Sequence, residues 1–268
     1  MIPLALLLLA LFLEETPSVD QIQSQSLEAR ALLRSHDYAR ASTEAEKVYA
    51  LATAELKHRP LDREPKLPLA LGAAIEVEAQ AMSAQGSRTG AVTYLQGELK
   101  KYYTTSIRAR IQKNIHLLSL EGKPAPALNM SSRLGPVPPP RTGKPVLLFF
   151  WAHWCSDCRN DAPVVARLQK QFPNLAIVGP TQRYGYVEGG LEATPDQETA
   201  YIEQVRKQLF STFTVPVNEE NFKSYGASTT PTFVLIDKHG IVRLYHPGAM
   251  TYEELSKAVS ALFPSKPM

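Results

Sequence analysis

The sequence predicts an all-α half followed by an α/β half, and three observations carry that prediction. Apolar residues recur at helical spacing from about Val19 to Leu120. A proline-rich stretch, Gly122 to Lys144, then interrupts any helix, because proline fixes φ and lacks the amide donor. Beyond it the pattern becomes short, wholly apolar runs alternating with amphipathic segments, as expected of strands buried on both faces between helices. A chain of 268 residues, 44% hydrophobic and 21% charged, is long enough for two domains with real cores. The expected boundaries are 1–18 for an apolar leader, 19–121 for the helical domain and 122–268 for the α/β domain.

The leader, Ile2 to Leu13, is nearly all apolar and broken only by Pro3. It is shorter than the about 20 residues a membrane-spanning helix needs, and suits the apolar region of a secretory signal. No Lys or Arg precedes it, and Glu14 and Glu15 follow. Two readings therefore stand: a signal peptide or N-terminal membrane tether, whose basic start a misplaced initiation codon would remove, and a hydrophobic first helix of a cytosolic protein.

In the helical half, Leu27, Ala31 and Leu32, then Ala41, Ala45 and Val48, keep helical spacing on either side of a break at His36-Asp37. The stretch His58 to Pro68 separates a second pair, Ala73–Ser83 and Thr89–Tyr103, joined at Gly86; a further helix is expected from Thr105 to Leu120. The segment "ALLRSHDYARASTEAEKVYALA" resembles a tetratricopeptide-type helix pair, and "EAQAMSAQGSRTGAVTYL" does so more faintly. An alanine-rich helical bundle explains the same small residues equally well.

In the second half, "PVLLFFWA" and "LAIVGP" read as buried strands. Helical spacing runs from Cys158 to Phe172 and from Glu198 to Phe210. "PTFVLID" and "IVRLYHPG" form a hairpin across Lys238-His239-Gly240, and Tyr252 to Phe263 is the last helix before Pro264. The order is β-α-β-α-β-β-α, with an edge strand possible around Ala125 to Leu134.

Net charge is +3, without a basic block, so no electrostatic footprint for nucleic acid is present. The only cysteines are Cys155 and Cys158, spaced Cys-x-x-Cys just past a strand at the start of a helix. There the unpaired amides and the dipole of the helix lower a thiol pKa, which points to thiol–disulfide exchange. Asp157, between the cysteines, opposes that effect. Half a zinc site is the competing reading, but a structural zinc takes four ligands and only His153, expected to be exposed, lies near. Trp151 is expected in the core and Trp154 on a contact surface. The tyrosine- and glycine-bearing segment Thr181 to Asp196 is either a lip over the site or a plain surface loop.

Taken together, "FFWAHWCSDCRNDAP" and "TTPTFVLIDKHGIVRLYHPG" resemble the thioredoxin superfamily, and most of all its extracytoplasmic TlpA- and ResA-like branch of thiol–disulfide oxidoreductases. Trp151 and Trp154 match its W-x-x-W-C-x-x-C pattern, Asp161 stands where glutamate is usual, and Pro163 falls on its helix-kinking proline. The resemblance covers roughly Pro124 to Leu262. It implies a central mixed sheet flanked by helices, and a cis Pro231 facing the cysteines beside a backbone, at Thr230, that pairs with bound substrate. The buried aspartate of thioredoxins is replaced by Phe149, leaving Asp161 as a proton-transfer candidate or a mere helix-surface carboxylate. Peroxidase chemistry is not favoured, because "WAHWCSDC" lacks the Thr or Ser and the Pro that precede a peroxidatic cysteine.

The expected function is reduction of disulfides in exported proteins by Cys155 and Cys158, with Trp154, Thr230 and Pro231 contacting substrate. The resemblance implies no cofactor and no metal, a membrane redox donor, and a periplasmic or cell-envelope location. The helical domain is expected to bind a protein partner. The rival is a helical-repeat scaffold or adaptor with the α/β half as a docking module.

Overall fold

The structure is a computed structural model and describes residues 17–137 and 143–263. The expected leader lies outside the described residues. Five helices come first: α1 Val19–Arg34, α2 Tyr38–Glu55, α3 Lys66–Ala84, α4 Arg88–Lys101 and α5 Arg108–Ser119. Their ends follow from local chemistry. Ser18 and Gln21 form a reciprocal capping box at the start of α1, and Asp37 caps α2. The α1–α2 break holds His36 at φ 64°, and the α3–α4 turn holds Gly86 at φ 92°. Helix α3 starts seven residues earlier than expected. Pro68 sits in its first turn, where a missing amide costs nothing. This helix is buried almost all round, from Leu67 and Leu71 through Ile75 to Ala81, and forms the centre of the helical half.

The second half contains β1 Arg133–Leu134, β2 Val146–Phe150, α6 Ser156–Gln171, β3 Ala176–Val178, α7 Pro195–Leu209, β4 Val215–Pro216, α8 Glu219–Tyr225, β5 Thr232–Ile236, β6 Val242–Pro247 and α9 Tyr252–Ser260. The main sheet has the order β3-β2-β5-β6, with β2 parallel to β3 and antiparallel to β5. The mixed sheet expected from the resemblance is therefore present. Strand β1 pairs with β4 in a separate two-stranded ladder, so only the last two residues of the expected edge segment are strand. Helix α8 and the two-residue β4 have no counterpart in the sequence-based order. Both are too short for periodicity to register.

Side-chain alternation on β2 explains its unbroken apolar run. Leu147 and Phe149 join the core formed with α6, α7 and α9, while Val146, Leu148 and Phe150 join Phe222 and Tyr225 of α8 and Leu120 at the end of α5. The helical half thus covers part of the second sheet face. Gly226 marks the close approach: its φ is +62°, and a Cβ there would sit 2.3 Å from the amide nitrogen of Lys113 in α5. His116 Nε2 donates to the Ser224 carbonyl (2.9 Å), and Arg108 grips the Glu220 carboxylate with two nitrogens (2.6 and 3.1 Å).

Candidate active site

Strand β2 ends at Phe150, and the five residues that follow carry the chain to the start of α6. Trp151 is fully buried. Its indole N–H donates to the Gly179 carbonyl (2.9 Å), and its own carbonyl accepts from the Thr181 hydroxyl (2.8 Å). The base of the site is thereby tied to the segment after β3. Trp154 is half exposed.

Cys155 is the N-cap of α6 and is joined to Cys158 in a disulfide. The Cys158 amide N–H donates to Cys155 Sγ (3.0 Å), so the first turn of the helix aims a donor and its dipole at that sulfur. A thiolate formed there on reduction meets the same donor. Cys158 is buried, one turn into the helix. Pro163 lies inside α6, where it removes the bond to the Arg159 carbonyl.

Register places the proline loop at the same end of the sheet. Thr232, the first residue of β5, pairs with Phe150, the last of β2, so Pro231 lies beside the point where the chain turns toward Cys155. Pro231 is buried, and the Thr230–Pro231 peptide is cis, as the resemblance implied. Its carbonyl accepts from Gly248. The main-chain N–H and C=O of Thr230 have no partner among the described residues.

Two expectations change. Asp161 is not a helix-surface carboxylate: it is buried, three residues after Cys158 on the same helix face. Burial pushes its carboxyl above the usual range, with Asp157 adding to this, while the Met250 amide N–H pulls the other way. One carboxyl oxygen has no hydrogen-bond partner among the described residues. Phe149, where the family has its buried acid, packs against Phe210 and Phe233.

His153 is not exposed either. It is 1% exposed, and Nε2 donates to Glu198 Oε1 at 3.0 Å. Glu198, in the first turn of α7, is equally buried and also accepts from the amides of Tyr184 (2.5 Å) and Gly185 (2.8 Å). The edges and faces of Tyr184, Tyr186 and Tyr201 surround the imidazole at 5.4–5.6 Å. Tyr184 in turn meets Trp154 edge-on at 5.4 Å. Burial holds His153 below its ordinary value of 6.5 against the opposing pull of Glu198, so the ring is neutral at neutral pH. Sequence reading missed Glu198, because an acid in the first turn of a helix already has a sufficient explanation in the helix dipole. The tyrosine segment is thus a pinned lip beside Trp154.

Residues 140–263 match the thioredoxin-like domain family. With this sheet order and motif, the C-terminal half is a thioredoxin-like domain. Among curated proteins, the chain is 29% identical to thioredoxin-like protein YneN of Bacillus subtilis, over 43% of this chain and 63% of that protein. It is 30% identical to the thiol-disulfide oxidoreductase ResA of Bacillus thuringiensis, over 46% of this chain and 65% of that protein. To the thiol:disulfide interchange protein DsbE of Xylella fastidiosa the identity is 26%, over 50% and 65%. In each case the chain spans less than two thirds of the relative's length. No helix among the described residues is long and apolar enough to cross a membrane.

Proposed function

We propose that this protein is a thiol–disulfide oxidoreductase that reduces disulfides of exported proteins. The observation that carries the reading is the Cys155–Cys158 disulfide closed at the N-terminus of α6, beside the cis Thr230–Pro231 peptide. Once a dithiol donor has reduced the pair, the Cys155 thiolate attacks one sulfur of a partner disulfide. The partner's S–S bond breaks, its leaving thiolate takes a proton, and a mixed disulfide joins Cys155 to the partner. Cys158 then loses its proton and attacks Cys155 Sγ. The Cys155–Cys158 disulfide forms, and the second partner sulfur leaves as a thiolate. Two electrons have passed from the cysteine pair to the partner.

Asp161, buried and held toward its protonated form, is suited to exchange the Cys158 proton, the task that Phe149 cannot perform. Trp154 offers an aromatic contact, and the free main-chain groups of Thr230 offer strand-like pairing to a bound peptide. The apolar run Ile2 to Leu13 supports an extracytoplasmic, tethered or exported protein, and such a reductase draws electrons from a membrane donor. Residues 19–121 and 122–268 act as its two domains.

The test is the reduction potential of the pair, read by equilibration with a thiol redox buffer and alkylation of free thiols. A value near −270 mV supports the reductase; one near −120 mV makes it an oxidase. A cysteine pair that forms no disulfide in the redox buffer, or a cellular function that survives Cys155→Ser, overturns the enzyme reading in favour of the scaffold.

A further inference from the structure

A groove of about 670 Å³ opens beside Trp154 and runs between the two halves of the chain. Its thioredoxin-like wall is formed by Trp154 and Tyr184 at one end and by Thr229 and Thr230, next to the cis proline, along the side. Its opposite wall comes from the helical half: Thr104, Thr105 and Ser106 from the α4–α5 turn, and Ala109 from the first turn of α5. Helix α8 closes the far side with Phe222 and an ion pair, Lys223 to Glu219 at 2.7 Å.

We propose that the helical half forms the second wall of the substrate groove, and that the occupant is an extended polypeptide segment flanking the disulfide to be reduced. This rests on the redox reading above. Three features select a polypeptide. The groove begins at Trp154, the chain neighbour of Cys155, and runs past Thr230, so it offers a path to a chain whose disulfide lies at Cys155. Its lining is hydroxyl-rich, and its two charged side chains neutralise one another, which suits neutral amide groups rather than an ionised small molecule. The free N–H and C=O of Thr230 face a segment that the opposite wall confines to an extended path.

The wall is rigid. Gly226 lets the backbones of α8 and α5 approach closely, and the Arg108–Glu220 and His116–Ser224 contacts hold the α5 side in place. Arg108 also stacks over Tyr103 at 3.9 Å, which fixes the turn that carries Thr104 to Ser106. A polypeptide therefore gains contacts from both halves, whereas a small disulfide such as oxidised glutathione reaches the sulfurs without touching the helical wall.

The experiment uses the full chain with Ala109→Arg, which projects a long charged side chain across the groove from a partly exposed helix position, and independently Thr104→Trp on the exposed turn. Two substrates are compared: oxidised glutathione, and a 15-residue synthetic peptide closed by one internal disulfide. The expected result is that kcat/KM for the peptide falls about tenfold in both variants through KM. The rate with oxidised glutathione and the reduction potential stay at the wild-type values. Unchanged peptide kinetics in the two variants, or equal losses on both substrates, overturns the groove proposal alone. A wild-type chain inert toward both substrates overturns the redox reading on which the proposal rests.

Discussion

Replacing Glu198 with alanine tests whether the buried His153–Glu198 pair holds the tyrosine lip against the active site. The carboxylate is 1% exposed and accepts three hydrogen bonds, from His153 Nε2 and the amides of Tyr184 and Gly185. Truncation leaves all three donors without an acceptor. A buried donor stranded in this way costs about 1–3 kcal/mol. The two amides belong to a surface segment that reaches water when it lifts, so each sits at the lower end of that range; the imidazole, enclosed by tyrosines, sits at the upper end. The expected loss, summed over the three stranded donors, is about 3–5 kcal/mol. That is a large share of the about 5–15 kcal/mol that holds a typical domain folded. The milder variant is His153→Phe. It removes one donor, keeps a ring among the tyrosine edges and leaves the carboxylate both amides, so a loss of about 1–2 kcal/mol is expected. Urea unfolding followed by circular dichroism orders the two variants. Amide hydrogen exchange supplies the local readout, with Tyr184 and Gly185 protected in the wild type and in His153→Phe but released in Glu198→Ala. Continued protection of both amides in Glu198→Ala, or a stability loss below about 1 kcal/mol, would refute the reasoning.

Three further outcomes follow from the same geometry. Asp161→Asn keeps the shape of the buried carboxyl and removes its proton chemistry; decay of the mixed disulfide in single-turnover mixing should slow by about 100-fold, while its formation is unchanged. Burial holds both His116 and His153 below 6.5, so the unfolded chain takes up protons first as the pH falls. Their contribution is complete above about pH 6.5 and is lost below it at up to about 1.4 kcal/mol per pH unit for each histidine. Urea unfolding at pH 7.5 and 5.5 reads this, and His116→Gln, which retains a donor for the Ser224 carbonyl, should flatten the slope. Gly226→Ala places a Cβ against the α5 backbone and a side chain at positive φ, for an expected cost of about 2–4 kcal/mol in urea unfolding.

How much of this was legible in the sequence depended on how far apart the interacting residues lie. The cysteine pair, Trp154 and the proline loop sit in contiguous motifs whose chemistry is local, and the fold brings them to one end of the sheet through the β2–β5 register. The hairpin was equally readable: Asp237 Oδ1 accepts from the amides of His239 and Ile241, and Gly240 supplies φ 82° within the same five residues. His153 was misplaced because its exposure is decided 45 residues downstream, where the first turn of α7 delivers a carboxylate that no periodicity links to it. Asp161 was ambiguous for a related reason: helical spacing puts it on the face of Cys158, but only the packing of Met250 and α9 on that face closes it off from water. The groove was beyond reach altogether. Its walls meet because one glycine, Gly226, lets α8 rest on α5, and a glycine in a loop carries no mark of what approaches it. Local chemistry therefore points to thiol–disulfide exchange, while long-range packing decides which groups stand around the cysteine pair.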